Sequence, residues 1–248
     1  MIPKKIHYTR IWWNPMPEMA VKCVESWKQK LPEYELCLWN ETNFDFDICM
    51  YVRQAYDAKK FAFVWDYVRI RAMYNYGWIS MDTDVEVLRS INQFLCHKWF
   101  SWFESKDIIP TWIMWFEKWH PLLKRLLDYY NTASFLDENN SPKLIANTLL
   151  ITEIAKDERK FQWGKDEHLI LWDDFHIYPE SYFCPKDDYQ KLLRDKNVFT
   201  IHYFAGSRLT KRDQNRRKFM KLIIWFCKKI WVYWKVSLWR RKYFLKSA

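Results

Sequence analysis

Glycine is the residue this chain has least of. It occurs three times in 248 residues, where average usage would give about 17, while tryptophan occurs 17 times. Six cysteines are present, but none forms C-x-x-C or another zinc-ligand spacing, so reduced thiols are the simplest expectation. No apolar leader follows Met1-Ile2-Pro3-Lys4-Lys5, which runs straight into a strand-like stretch; no secretory signal is expected. Long apolar runs are missing from the end of the chain as well. Between residues 211 and 248 the longest uncharged run is Leu222–Cys227, six residues against the roughly 20 that span a bilayer.

Net charge is close to zero in the body and concentrated at the end. Residues 211–248 carry 13 Lys and Arg against one acid, Asp213, so the other 210 residues are nearly neutral, with 27 basic and 29 acidic groups. A nearly neutral body argues against a nucleic-acid-binding catalytic domain. Hydrophobic residues make up 50% and aromatics 20% of the chain, which excludes global disorder and allows a sizeable core.

What is present is organised around Ser80-Met81-Asp82-Thr83-Asp84-Val85-Glu86. An extended apolar approach, Trp78-Ile79, leads into carboxylates at alternate positions, and alternate side chains of a strand share a face. Asp82 and Asp84 are therefore expected to point the same way from a strand end, a pairing of hard oxygen ligands that suits a divalent cation carrying phosphates. Upstream, apolar residues at 61, 64, 68, 72 and 76 recur near the helical period, and Gly77 is a natural stop. Asp66 and Arg69 lie three apart on that helix and share a face. On so apolar a helix, a charged pair is expected to look into a polar cleft.

Earlier elements follow from local punctuation. Lys4–Thr9 is expected as a strand, Pro17–Lys30 as a helix, Tyr34–Trp39 as a second strand, and a short helix capped near Asp47 should run to Tyr56. The β-α-β-α-β order predicts an α/β sheet with ligands at the carboxyl ends of its strands. Downstream, strands are expected at Lys98–Phe103, within Ile108–Trp119, at His176–Pro179 and at Thr200–Tyr203. Helices are expected from His120-Pro121 and over Lys143–Ala155.

Taken in order, these residues resemble glycosyltransferase family 32, the DXD-containing sugar transferases of capsule and polysaccharide clusters, distantly similar to the clostridial glucosylating toxins. The resemblance rests on Asp66-x-x-Arg69 followed by Tyr74-x-Tyr76-Gly77-x-Ile79-x-x-Asp82-x-Asp84-Val85-Glu86. It extends to Ile2–Tyr8 with Asn14-Pro15, Cys23–Trp27, Tyr34–Leu36 with Trp39–Glu41, and Ile201–Ser207. It implies a GT-A-like nucleotide-sugar-binding sheet flanked by helices over residues 1–210, with 211–248 as a basic, aromatic, amphipathic C-terminal helix. The implied activity is transfer of a hexose from a UDP- or GDP-sugar to a glycan or lipid-linked glycan, with retention, in capsule, lipopolysaccharide or exopolysaccharide synthesis. Mn²⁺ or Mg²⁺ would be held by Asp82, Asp84 and His202. Asp66, Arg69 and Asp82 would be catalytic, and His7, Tyr8 and Thr83 would join them in binding substrate. Asn147 and Thr148 fall near the implied acceptor side.

The resemblance also gives the glycine shortage a pattern. Trp12, Trp13, Trp78, Trp115 and Trp119 stand where the family usually has glycine. Some of them are expected to be glycine codons read as tryptophan, for instance a reassigned UGA. The tail mixes its cations with Trp, Tyr and Phe, which suits an anionic membrane interface, so a cytoplasmic protein held peripherally on the inner face of a membrane is expected. Two rivals differ in class. A glycosidase would also use paired carboxylates, but two aspartates two residues apart suit a metal better than acid and base on opposite sides of a sugar. A non-catalytic binding protein decayed from the family is the other.

Overall fold

The computed structural model describes residues 4–10, 15–102, 108–158, 168–171, 175–185, 194, 197–205 and 219. The chain divides into two compact units, Met1–Phe204 and Ala205–Ala248. Of the second, Ala205 and Phe219 alone are described, so the expected basic helix lies outside the described residues, as do Trp12 and Trp13.

The first unit begins with strand β1 (Lys4–Thr9), helix α1 (Glu18–Lys30) and strand β2 (Tyr34–Trp39). Pro17 precedes α1, Glu18 sits in its positive first turn and Lys28 and Lys30 in its negative last turn, as the helix dipole favours. Helix α2 (Met50–Asp57) starts after Cys49 with no side-chain cap; Asp47 pairs instead with Arg53 across the first turn. Helix α3 (Phe61–Tyr76) buries ten residues around most of its circumference, including Asp66 and Arg69. It ends at Gly77, whose φ of 73° and backbone approach to Lys118, 3.0 Å from a built Cβ, leave no room for a side chain.

Strand β3 (Trp78–Met81) is followed by β4 (Val85–Val87), β5 (Trp99–Trp102) and β6 (Ile113–Phe116). Next come α4 (Pro121–Thr132), α5 (Asn147–Glu158), β7 (Leu169–Leu171), β8 (Phe175–Tyr178), α6 (Glu180–Phe183) and β9 (Thr200–His202). Seven strands form one mixed sheet in the order β2-β1-β3-β6-β5-β8-β7, and β4 and β9 form a separate antiparallel ribbon. Pairing is parallel for β1–β2, β1–β3 and β5–β8 and antiparallel for β3–β6, β5–β6 and β7–β8.

Both faces of the sheet are covered, which the period-2 alternation of β6 shows directly. Met114 and Phe116 join the core under α2, α3 and α4, whereas Ile113 and Trp115 join the core that includes Trp27 of α1 and Val85 and Val87 of β4. Helix α4 contributes Leu122, Leu123, Leu126, Leu127 and Tyr130, all buried. Each such side chain stabilises the fold by about 1.5–3 kcal/mol relative to exposure.

Three local expectations differ from the structure. Asp82, Thr83 and Asp84 form a turn between β3 and β4, closed by Val85 N–H to Asp82 O at 3.1 Å, rather than the end of a strand. Helix α5 starts at Asn147, because residues 143–146 are drawn into a loop by Lys143 N–H bonding Phe135 O. Strand β7 is not among the strands expected from the sequence; three residues are too few for a periodicity to declare itself.

The tryptophans at expected glycine positions separate into two kinds. Trp78 and Trp119 take φ values of 75° and 62°, a left-handed backbone that bulky residues avoid. Trp115 lies in regular strand, 7% exposed, with Nε1–H donated to His97 O, and nothing in its backbone asks for glycine. Trp119 is 64% exposed, so its ring contributes little burial to offset the strain. Trp119→Gly is expected to stabilise the protein by roughly 0.5–1 kcal/mol, measured as a shift in urea midpoint; destabilisation would contradict the strain. Peptide mass spectrometry of native protein reads the residues themselves, and tryptophan at 12, 13 and 78 would rule out a reassigned codon.

Candidate functional site

Two devices bring distant residues together beyond the carboxyl end of β3. The first is the turn. Asp82 N–H donates to Trp112 O at 2.8 Å, fixing the strand end, and the turn then presents Asp82, Thr83 and Asp84 in succession. The second is the β4–β9 ribbon, in which Val85 pairs with His202 and Tyr203 N–H donates to Asp84 O at 3.0 Å. The ribbon carries a histidine 118 positions away to Asp84, with His202 Nε2 3.1 Å from Asp84 Oδ1.

Asp82, Asp84 and His202 thus offer three ligand atoms within 4.8 Å of one another. His202 is 9% exposed, and its Nδ1 is buried with no hydrogen-bond partner. Trp112 and Phe204 hold the imidazole, at ring-centroid distances of 4.7 and 4.1 Å. Two carboxylates and one imidazole form an O,O,N donor set that fits Mn²⁺, and Mg²⁺ where water completes the shell.

Below this group lies a buried polar network anchored on α3. Arg69, 4% exposed, sends Nη2 to Asp82 Oδ1 at 2.7 Å and Nη1–H to Thr111 O; its Nε is 3.9 Å from Asp66 Oδ1. Burial opposes its charge, but Asp82 and Asp66 more than offset this, so its pKa lies above the ordinary value. Asp66, fully buried, accepts from Asn147 N–H at 3.2 Å, which places a carboxylate at the positive N-terminus of α5. Thr111 Oγ1–H donates to Asn147 Oδ1 at 2.8 Å, and Asn147 Nδ2 is buried without a partner. Thr111 was not legible in the sequence, because a single threonine in an aromatic stretch carries no pattern.

A third contact set locks the ribbon. Arg194 grips both carboxylate oxygens of Glu86 and also bonds Tyr203, whose hydroxyl donates to Glu86. Burial alone would raise the Glu86 pKa, yet Arg194 and Tyr203 hold it below the ordinary carboxylate value. No sequence spacing links positions 86, 194 and 203; the β4–β9 register brings two of them together.

The remaining expected residues are placed as follows. Thr83 is partly exposed in the turn between the two aspartates. Tyr8 lies near the end of β1, half-buried, its ring edge-on to Trp27 at 5.6 Å. His7 lies on the other side of β1, 1% exposed, away from the aspartates' turn. Both its nitrogens are engaged: Nε2–H donates to Gly77 O at 3.0 Å, and Nδ1 lies 3.2 Å from Trp39 Nε1–H and accepts from it. Trp78 packs tilted against Trp115 at the far end of β3 from Asp82, outside the cluster of site residues.

Residues 17–101 match a family model described as the glycosyltransferase sugar-binding region containing a DXD motif. The match includes Asp66, Arg69, Asp82, Thr83 and Asp84. A curated relative, inositol phosphoceramide mannosyltransferase 3 of Schizosaccharomyces pombe, is 29% identical over 136 residues, which are 51% of this chain and 36% of that protein. The chain therefore spans about a third of that relative's length. Similar solved structures include the PaToxG glycosyltransferase, at 15% identity and TM-score 0.48 over 63% of this chain and 69% of that one. Another is a glycosyltransferase involved in glycosylation of the major capsid of PBCV-1, at 11% identity and TM-score 0.47 over 83% and 96%.

Burial pushes the His7 pKa down from 6.5 to about 4, against the opposing pull of the Gly77 carbonyl. The unfolded chain takes up this proton near pH 6.5 and the folded one only near pH 4. The neutral histidine therefore contributes stability that is full above pH 6.5 and lost as pH falls toward 4, about 3 kcal/mol in all. In His7→Gln this part of the pH dependence should vanish from urea unfolding; an unchanged difference between pH 7 and pH 4 would contradict the assignment.

Proposed function

We propose that the protein is a metal-dependent glycosyltransferase that takes a hexose from a UDP- or GDP-sugar. The observation that carries this reading is the convergence of Asp82, Asp84 and His202 above a buried arginine that already grips one of the aspartates. Mn²⁺ or Mg²⁺ bound there would neutralise the diphosphate leaving group. Asp84 and His202 are the principal ligands, since Asp82 divides its charge between the cluster and Arg69. Asp82 and Arg69 orient the donor sugar and its phosphate, and Asp66 holds Arg69 and the start of α5 in place. Thr83, in the β3–β4 turn, and Tyr8, near the end of β1, would meet the donor, while His7 acts by fixing β1 against Gly77. The acceptor hydroxyl would attack the anomeric carbon with retention of configuration, and no protein nucleophile is required.

The acceptor is a glycan or lipid-linked glycan in a polysaccharide-synthesis pathway. The matched mannosyltransferase is named for inositol phosphoceramide, a lipid, which supports a lipid-bearing acceptor. No helix among the described residues is long and apolar enough to cross a membrane. The basic, aromatic residues 211–248 would hold the enzyme peripherally on an anionic surface.

Asp84→Asn is expected to lower transfer from the nucleotide sugar at least about 10²-fold with melting temperature close to that of the parent protein, and Asp82→Asn to lower transfer as much while also lowering the melting temperature, because it removes a charge partner of the buried Arg69. EDTA should do the same to the parent, reversibly. Undiminished turnover in either variant would overturn the assignment.

A further inference from the structure

The polar network faces one side of α3, and a separate cavity lies on another. Successive residues turn by about 100°, so Val68, Arg71, Ala72 and Asn75 form one stripe, well away from Asp66 and Arg69. Between this stripe and residues 39–48 is a cavity of about 240 Å³. Trp39, Phe44 and Tyr76 make its apolar wall, and Asn43, Asp45, Arg71 and Asn75 supply its polar groups.

The wall is preorganised. Trp39 is fixed by its bond to His7, and its ring meets Tyr76 at 5.7 Å and 35° and Phe44 edge-on at 6.4 Å. The loop opposite α3 is tied by side-chain turns. Asn43 bonds both Asn40 N–H and Leu38 O, Asn40 accepts from Thr42, and Asp45 Oδ1 accepts from Asp47 N–H. Preorganisation of this kind lowers the ordering cost of binding.

The chemistry selects a ligand class. One cation, one anion and two carboxamides leave the cavity without net charge, so neither phosphate nor ammonium is favoured. A purely apolar guest would take water from Asp45, Arg71 and Asn75 without meeting their remaining hydrogen-bonding capacity, which is costly. Trp39 and Tyr76 are tilted and touch one another, giving a bent floor and not a parallel slot for a flat base. A neutral, puckered ring with an apolar C–H face and a rim of hydroxyls meets all of these conditions.

We propose that this pocket is a second saccharide site, holding one hexopyranose ring of the acceptor glycan at a distance from the reacting end. That the ring belongs to the acceptor rests on the transfer reading above; the binding itself does not.

Saturation-transfer NMR on the full chain tests it, in EDTA and without nucleotide, using methyl α-mannoside, methyl α-glucoside, methyl α-galactoside and N-acetylglucosamine as probes. At least one should bind in the millimolar range, with affinity reduced tenfold or more in both Asn75→Ala and Asp45→Ala and unchanged in Asp84→Asn. Absence of binding by all four, or binding indifferent to both pocket variants, would overturn the proposal. Uridine or adenosine occupying the pocket in place of the sugars would overturn it in favour of a base site. Failure of the transfer reading would look different: no turnover by the parent protein, with saccharide binding intact.

Discussion

A guanidinium buried to 4% exposure has to be compensated on every side, and that requirement ties together the elements around the site. Arg69 reaches Asp82 at the end of β3, the Thr111 carbonyl ahead of β6 and, more loosely, Asp66 one turn back on its own helix. Asp66 in turn holds the first residue of α5. One buried charge therefore couples α3, the β3–β4 turn, β6 and α5. Removing a partner would leave it stranded, at a cost of about 3–5 kcal/mol. The same arrangement is useful chemically, because a rigid cation beside the paired aspartates is suited to hold a diphosphate.

The second constraint is the β4–β9 ribbon. It stands apart from the seven-stranded sheet, and its two short strands are held by their register and by Arg194 and Tyr203 closing on Glu86. Without it, His202 would have no reason to lie beside Asp84. The ligand set thus depends on a strand pair of three residues each, stabilised by charge-assisted hydrogen bonds at its partly exposed edge.

Much of this was legible in the residues. Lys4–Thr9 and Tyr34–Trp39 follow from strand-like composition and alternation between turn signals, and the inner face of α4 from the helical period of the leucines it buries. The Asp66–Arg69 pair was legible as two charges sharing one face of an apolar helix, which need partners when buried; that they are enclosed in a polar network and do not look into an open cleft was not. The turn at Asp82–Asp84 was not, since alternating carboxylates look the same in a turn as in a strand. Neither were Thr111, Glu86 and Arg194, whose roles depend on contacts across tens of residues. His7 shows a related gap: a histidine on a strand near a ligand site has no local mark that both its nitrogens are spoken for by Gly77 and Trp39.

The account stands on one claim, that Asp82, Asp84 and His202 form a metal site that binds a nucleoside diphosphate. Thermal unfolding with UDP, GDP or CMP, each in Mn²⁺ or in EDTA, tests it most directly. Ligand at a hundredfold excess over Kd should add about 2.7 kcal/mol of stability. The account predicts a rise in Tm with one diphosphate in Mn²⁺ that disappears in EDTA. No rise with any nucleotide, or one indifferent to EDTA, would contradict it.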